Sequence, residues 1–194
     1  MTEANKLHFS FKGSRNYVHG SDIFDALDEW FEKQGMRVLD LAFRGFSSNH
    51  LICMLTEPEN GVKAEGNAID KNGNRTAFWV VEAAEPVAER YPFDEEAIAG
   101  HAHIEGKTIE ADETSGYSVI EQIIALTKAL NYALVPEVNG KWVFGQLRLT
   151  GVLPKKAARY KIRQKTQLAG RFSVQEITLD DCVIGDIRFI TSQS

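Results

Sequence analysis

Long apolar runs, a basic leader and paired cysteine motifs are all missing from this sequence. No stretch approaches the roughly 20 consecutive apolar residues that a membrane-spanning helix needs. The opening MTEANKLHF lacks a basic region followed by an apolar one. Cys53 and Cys182 stand far apart in apolar runs, outside any metal-binding spacing. The sequence therefore predicts a cytoplasmic protein without membrane contact, in which both cysteines are buried thiols.

Signature motifs of several enzyme classes are also missing. The sequence contains neither of the phosphate-binding patterns GxGxxG and GxxxxGK[ST], and it lacks the GxSxG pattern of nucleophilic serines. His101 and His103 have the HxH spacing of metal ligands, but no third ligand accompanies them. We therefore expect no metal site, and function has to be inferred from the order of the elements.

The composition is that of an ordinary folded protein, with 43% hydrophobic and 25% charged residues among 194. The net charge of −5 is divided unevenly. Residues 1–113 hold 11 Lys and Arg against 21 Asp and Glu (−10), and residues 114–194 hold 11 against 6 (+5). Such a chain could bind an acidic partner with its C-terminal part. In the alternative, the division is a chance excess of charge on solvated faces.

The first half predicts a strand, a helix and four further strands. Leu7 to Phe11 reads as a strand, and Ser21 is the expected N-cap of an amphipathic helix that ends near Gly35. The polar side of this helix carries Asp22, Asp25, Asp28, Glu29 and Glu32. Strands are expected at 36–43, 50–55, 63–70 and 75–83, and Asn72-Gly73 makes the last two antiparallel neighbours.

The second half repeats this order after a connector at 86–92. A strand-like segment at 101–111 precedes a helix at 116–134 that is apolar on nearly every side, and strands follow at 141–151, 159–169, 171–179 and 182–190. The predicted class is α+β, with a β-α-β-β-β-β unit at 1–86 and a second at 87–194.

A long helix against a curved antiparallel meander resembles the hotdog fold, here as a double hotdog. The resemblance implies one continuous antiparallel sheet wrapped around two long helices, as in a dimer of single hotdogs. Families with this fold mostly act on acyl thioesters of coenzyme A or acyl carrier protein. The expected partner is such a thioester, with coenzyme A or phosphopantetheine as part of the substrate and no separate cofactor.

The apolar second helix carries one glutamate near its start. At 100° per residue, Glu121 falls in the same sector as Lys128. A carboxyl buried among apolar groups has a raised pKa and suits acid–base chemistry near neutral pH. In the alternative, Glu121 and Lys128 line a wet stripe or bond to neighbouring backbone and do no chemistry.

The segment GYSVIEQIIALTKA resembles the helix start of hotdog hydroxyacyl-ACP dehydratases. Gly116 matches the turn glycine and Glu121 the catalytic acid of that family. The family's His-Phe-x-Gly loop is missing, because the chain has no histidine between Lys107 and Gly116. Ordinary dehydration uses that histidine as its base, so hydrolysis or acyl transfer suits this half better.

The segment RNYVHGSDIFDALDEW resembles the entry of the A-factor biosynthesis hotdog proteins. Arg15, Val18, His19, Ile23 and Trp30 carry this match. His19 is a candidate base, or else it orders the turn before the helix. Asp25, five residues after Gly20, is a candidate acid, or else an exposed carboxylate on the helix.

A basic segment, PKKAARYKIRQK, follows in the second half. Arg159, Lys161, Arg163 and Lys165 alternate, so a strand points all four to one face, and Lys155 and Lys156 precede them. In hotdog enzymes the pantetheine arm enters beside this part of the sheet, so these cations would hold coenzyme A phosphates or an acidic carrier protein. In the alternative, they protect an exposed edge strand from aggregation.

These observations combine into one functional expectation. The chain is predicted to be an acyl-thioester-binding hotdog protein that hydrolyses the thioester or transfers its acyl group, as a monomer or homodimer. Glu121 would act as acid, base or water-orienting group, helped by His19 or Asp25. A non-catalytic binding or scaffold protein and a divergent dehydratase are the alternatives. Nucleic acid is not expected, since the pI is about 5.6 and no nucleic-acid motif is present.

Overall fold

The computed structural model describes residues 4–168 and 170–192. The chain divides into two compact units, Met1–Phe93 and Asp94–Ser194. The connector 86–92 therefore belongs with the first unit. The last residue of the strand expected at 159–169, Ala169, lies outside the described residues.

The first unit is a five-stranded antiparallel sheet with one long helix. Its elements are β1 (Ala4–Leu7), β2 (Phe11–Lys12), α1 (Gly20–Glu32), β3 (Met36–Phe43), β4 (Asn49–Met54), β5 (Val62–Asp70), β6 (Arg75–Pro86) and β7 (Arg90–Tyr91). The strand order is β1-β4-β6-β5-β3, while β2 and β7 form a separate parallel pair. The single strand expected at 7–11 is wrong, because the chain forms β1 before it and β2 at its end. The expected meander is also wrong here, since β6 lies between β4 and β5.

Helix α1 buries its apolar side against β3, as the pattern predicts. Ile23, Phe24, Leu27 and Phe31 are all buried. The N-cap is His19 rather than Ser21, because the ring nitrogen Nδ1 of His19 accepts from the Ser21 backbone N–H at 3.4 Å.

One residue placed on the polar side of α1 is buried. The carboxylate of Asp28 accepts from the guanidinium of Arg37, with Nη2–Oδ2 at 2.6 Å, and from the Val38 backbone N–H at 3.0 Å. Asp28 in turn raises the pKa of Arg37. The prediction of a solvated carboxylate fails because β3 brings a cation to the helix.

Strands β5 and β6 form the hairpin expected from Asn72-Gly73. Next to it, β3 and β5 approach closely at Gly66. A side chain there would overlap the carbonyl oxygen of Asp40 and lie 2.8 Å from the ring of Phe78. The register of β3 shifts between Val38 and Asp40 at this point, so a bulge and a glycine occur together.

The second unit has a six-stranded sheet and two helices. Its elements are α2 (Glu95–Ala99), β8 (His103–Glu105), β9 (Thr108–Asp112), α3 (Val119–Leu134), β10 (Lys141–Leu149), β11 (Arg159–Leu168), β12 (Phe172–Leu179) and β13 (Cys182–Ser192). The strand order within the unit is β10-β13-β12-β11-β9-β8. Here β11, β12 and β13 do form a meander, so the units share the order of elements along the chain but differ in the order of strands.

Two expectations for these strands are wrong. The single strand at 101–111 is a hairpin, because Gly106 adopts φ +55° and turns β8 into β9. The alternative that the basic strand is an exposed edge also fails, since β11 lies between β12 and β9.

Helix α3 is buried over most of its length and packs on β9, β10, β11 and β12. It begins at Val119, three residues after Gly116, which turns the chain with φ +88°. No helix in the described part of the chain is long and apolar enough to cross a membrane.

The two cysteines differ in exposure. Cys53 is buried in β4, where burial raises the pKa of its thiol to about 12. The prediction that Cys182 is also buried is wrong, because it begins β13 directly after the tight turn at Asp180 and Asp181.

Candidate active site

A buried polar cluster lies at the start of α1 in the first unit. Ser21 Oγ is 2.6 Å from Lys12 Nζ, 2.8 Å from His19 Nδ1 and 3.0 Å from Asp22 Oδ1. Lys12 Nζ also lies 2.6 Å from Asp22 Oδ1, and the hydroxyl of Tyr91 donates to Asp22 Oδ2 at 3.0 Å. We call these five residues, Lys12, His19, Ser21, Asp22 and Tyr91, the α1 cluster.

The parallel pair of β2 and β7 brings the parts of this cluster together. It sets Lys12 beside Tyr91, and it is held from outside by Arg90, which donates to the carbonyl oxygens of Gly13 and Arg15. The ring of Phe93 covers the ammonium of Lys12, with 4.4 Å between Nζ and the ring centroid. A short strand far along the chain therefore closes the site.

Lys12 is fully buried, and burying an isolated ammonium is costly. The Asp22 carboxylate, the Ser21 hydroxyl and the Phe93 ring supply the compensating interactions. Asp22 also stands in the first turn of α1, where the helix dipole favours a negative charge. This arrangement fixes the side chains around His19.

The geometry allows two proton arrangements at His19. When Nδ1 accepts from the Ser21 hydroxyl, Nε2 carries the ring proton and can donate to a carbonyl oxygen. When Nδ1 instead donates to Ser21 Oγ, it no longer accepts from the Ser21 backbone N–H, the Ser21 hydroxyl turns to Asp22, and Nε2 is the unprotonated nitrogen that can act as a base. His19 keeps 9% of its surface exposed, so part of this largely buried residue is accessible to solvent.

The sequence singled out His19 but missed its surroundings. Ser21 was interpreted as a cap and Asp22 as a residue on the polar side of the helix, and nothing near Lys12 or Tyr91 indicated a site. The hydrogen bond from Tyr91 to Asp22 spans 69 positions of the chain, which no local pattern reveals. Asp25 is half-buried, one turn beyond Asp22 on α1.

Glu121 lies in the second unit as the third residue of α3. Its Oε2 accepts from the Ser118 backbone N–H at 2.7 Å, and its own N–H donates to Ser118 Oγ at 3.3 Å. This reciprocal pair is a capping box. Lys128 lies two turns on and pairs with Glu95 of α2 at 2.6 Å. The half-buried carboxylate of Glu121 therefore bonds to neighbouring backbone.

The basic strand shows the expected alternation, with its four cations exposed on one face of β11. Each has a carboxylate partner on another strand or turn of the unit: Arg159 with Asp181, Lys161 with Glu110 at 2.6 Å, Arg163 with Glu176 at 2.7 Å and Lys165 with Asp186 at 3.1 Å. Lys155 and Lys156 are exposed in the preceding loop. The local charge of this face is thus largely balanced.

A surface cleft of about 320 Å³ opens on that face of the second unit. Arg159 and Lys161 line it together with His101 and His103. The acidic residues around it include the partners of both cations, Asp181 and Glu110. Two of the five cations predicted to bind the substrate therefore share a cleft, while Lys155, Lys156 and Arg163 are not among its lining residues.

Comparison with known proteins gives similarity in structure alone. No family model matches the sequence, and no curated protein matches it. The pyran synthase domain from module nine of the sorangicin pathway superposes with a TM-score of 0.53 at 11% identity, covering 99% of this chain and 95% of that one. The erythromycin dehydratase gives 0.50 at 12% identity, covering 98% and 89%. The dehydratase domain of the polyketide PpsC from Mycobacterium tuberculosis gives 0.50 at 12%, covering 98% and 92%.

These similarities extend over nearly the whole chain at identities that establish a fold and nothing finer. Together with a long helix and an antiparallel sheet in each unit, they identify the architecture. The chain has the hotdog fold.

Proposed function

We propose that this protein binds an acyl thioester of coenzyme A or acyl carrier protein and acts on it by hydrolysis or acyl transfer, with His19 as the acid–base group. The α1 cluster carries this proposal, because it holds an imidazole by a hydroxyl that is itself bonded to an ammonium and a carboxylate. An orienting partner behind a base is the usual arrangement of acid–base sites. The chain would be a double hotdog, with one hotdog in each unit.

The proposed hydrolysis needs only one proton carrier. Nε2 of His19 takes a proton from water as the water oxygen attacks the carbonyl carbon of the thioester. The C–S bond then breaks, and the proton on Nε2 passes to the leaving thiolate, which departs as a thiol. For transfer, an acceptor hydroxyl takes the place of water. Ser21 and Lys12 hold the ring in position throughout.

The test is thiol release from a panel of acyl-coenzyme A thioesters by the His19→Asn variant. Asparagine is a good N-cap, so the start of α1 keeps its acceptor while the titrating ring is lost. We expect a loss of at least about 100-fold in turnover with little change in stability. The matched control is His8→Asn, an exposed histidine of the same unit, which should retain full turnover.

Two outcomes would count against this assignment. Equal rates for the wild type and His19→Asn would remove His19 from the chemistry and leave Glu121 or Asp25 as the candidate group. We keep Glu121 as a second candidate, in addition to its capping bond to Ser118. Binding without thiol release from any thioester would favour a protein that does no chemistry.

For the substrate's phosphates or an acidic carrier surface, we propose Lys155, Lys156, Arg159, Lys161 and Arg163. The cleft beside Arg159 and Lys161 supports this placement. Binding there would have to displace or share the carboxylates of Glu110 and Asp181. The interaction would therefore weaken as salt rises.

A non-catalytic binding protein is the second candidate. Two observations favour it: Glu121 is engaged in a capping box, and each alternating cation of β11 has an acidic partner. Dehydration in the usual manner of the fold has less support, since no histidine stands between Lys107 and Gly116.

A further inference from the structure

The interior of the second unit contains neutral polar side chains where an apolar core is expected. Asn131 of α3 and Ser173 and Gln175 of β12 are fully buried, and Gln164 of β11 is 8% exposed. Their neighbours in the same strands, such as Ile162 and Ile177, are buried aliphatic residues. We call Asn131, Gln164, Ser173 and Gln175 the amide cluster.

These four side chains are close to one another. Gln175 Nε2 donates to Asn131 Oδ1 at 2.7 Å, which joins β12 to α3. Gln164 is paired with Gln175 in the register of β11 and β12, and both are buried, so they share the inner face. Ser173 precedes Gln175 by two residues and therefore points the same way.

Each member retains an unused hydrogen-bonding atom. Asn131 Nδ2, Gln164 Nε2, Ser173 Oγ and Gln175 Oε1 have no partner among the described residues. Exchanging the oxygen and nitrogen of both Asn131 and Gln175 preserves their mutual bond and still leaves one donor and one acceptor. Leaving a buried polar group unsatisfied is costly, so four together call for a partner.

The chemistry of that partner follows from the unused atoms. They offer donors and acceptors side by side, and none of the four side chains carries a charge. A charged group would be desolvated there without an opposite charge from the cluster, while an apolar group would leave the polar atoms unpaired. We propose that the amide cluster is an internal binding site for a neutral ligand group that both donates and accepts hydrogen bonds, an amide or a hydroxyl.

The amide cluster belongs to the second unit and the α1 cluster to the first. The proposal does not depend on the proposed acyl-thioester chemistry. It can be tested by NMR on the intact ¹⁵N-labelled protein, following the side-chain amide signals of Asn131, Gln164 and Gln175 during titration with acetamide. We expect these signals to shift saturably. Acetate, which is similar in size but charged, should leave them in place.

The Asn131→Leu/Gln175→Leu double variant provides the matched comparison. Removing both partners of a buried hydrogen bond leaves no half-pair behind, so the fold should persist. The Gln164 signal should then lose its response to acetamide. Gln164→Leu serves if the double variant does not fold, with the response read from Asn131 and Gln175. The control is Gln34→Leu, which removes a lone unpaired amide oxygen in the first unit and should leave the response unchanged.

Three results would overturn the proposal. The first is the absence of any acetamide-dependent shift in the wild type. The second is a set of persistent water contacts to the cluster amides that acetamide does not displace, because the polar atoms would then be satisfied by structural water alone. Shifts that survive in the variants would equally place acetamide elsewhere.

Discussion

Glu121 holds the start of α3 as the third residue of a capping box with Ser118. Its carboxylate therefore has a structural use whether or not it also exchanges protons. The apolar character of the rest of α3 does not bear on this role, because the carboxylate bonds to backbone at the helix end. Stability and turnover have to be measured separately to distinguish the two functions.

Replacing Glu121 by alanine should lower the free energy of unfolding by about 1 kcal/mol, because the Ser118 N–H loses its acceptor. Glutamine keeps an acceptor oxygen, so Glu121→Gln should stay within roughly 0.5 kcal/mol of wild type. Urea unfolding measures both variants. Wild-type stability in Glu121→Ala would show that the capping bond contributes nothing in solution. Lost turnover in Glu121→Gln at normal stability would support the acid–base role.

Tyr160 is a buried phenol whose hydroxyl has no partner among the described residues. Burial, followed by the negative charges of Glu113 and Asp180, raises its pKa to about 12. The unfolded chain ionises this group near pH 10. Tyr160 therefore leaves the free energy of unfolding unchanged below about pH 10 and lowers it as the pH rises from there towards 12.

The Tyr160→Phe variant should lose this part of the alkaline instability. At pH 7 it should be at least as stable as wild type, because no hydrogen bond is broken. Urea unfolding at neutral and alkaline pH measures both effects. If the stability of Tyr160→Phe fell with alkaline pH as steeply as that of wild type, the instability would belong to other groups. The buried thiol of Cys53 is the first of these to test.

At the scale of elements, the strands were predicted from the alternation of apolar and polar residues and from the residues that form turns. The strand at 36–43 was predicted with its observed bounds, although the bulge between Val38 and Asp40 interrupts its alternation of buried and half-buried residues. The segment 101–111 was misread since its alternation continues through Gly106, where positive φ reverses the chain. The α1 cluster escaped prediction because β2 and β7 have two residues each, too few for any period to show.

The close approach of β3 and β5 leads to a prediction about one glycine. Gly66→Ala should destabilise the protein by about 1–3 kcal/mol or more, since the new methyl group meets rigid backbone at Asp40 as well as the Phe78 ring. Gly45→Ala is the control, because a methyl group there meets nothing within 4 Å. Thermal and urea unfolding measure both. Equal stabilities would mean that the β3 bulge relaxes at little cost.

For the whole molecule, the uneven charge of the sequence was the ground for proposing an anionic ligand. The cations of β11 were predicted correctly in their alternation, but the sequence does not reveal their carboxylate partners on other strands. This is why charge counting overstates the local positive field. The proposed attraction for phosphate would have to come from cations that the acidic partners do not fully balance.

A saturating acyl-coenzyme A should stabilise the intact chain. Ligand at 100 times its Kd adds about 2.7 kcal/mol, which raises Tm by roughly 5–10 °C for a protein of this size that unfolds in one transition. Thermal scans against several chain lengths, with free coenzyme A as reference, measure the effect. Lys155→Ala/Lys156→Ala should weaken binding and its salt dependence, whereas Lys71→Ala in the β5–β6 turn should not. No shift with any thioester would redirect the search to carrier-bound substrates.

The complete burial of Lys12 has a practical consequence for studying how the first unit moves. Amine-reactive reagents modify lysines that solvent reaches, so this ammonium should be protected while exposed lysines label quickly. Its slow modification then requires the pair of β2 and β7 to separate from the start of α1. With the reagent in excess, the rate at which Lys12 is modified, measured by mass spectrometry of its peptide, would thus report the rate at which the α1 cluster opens.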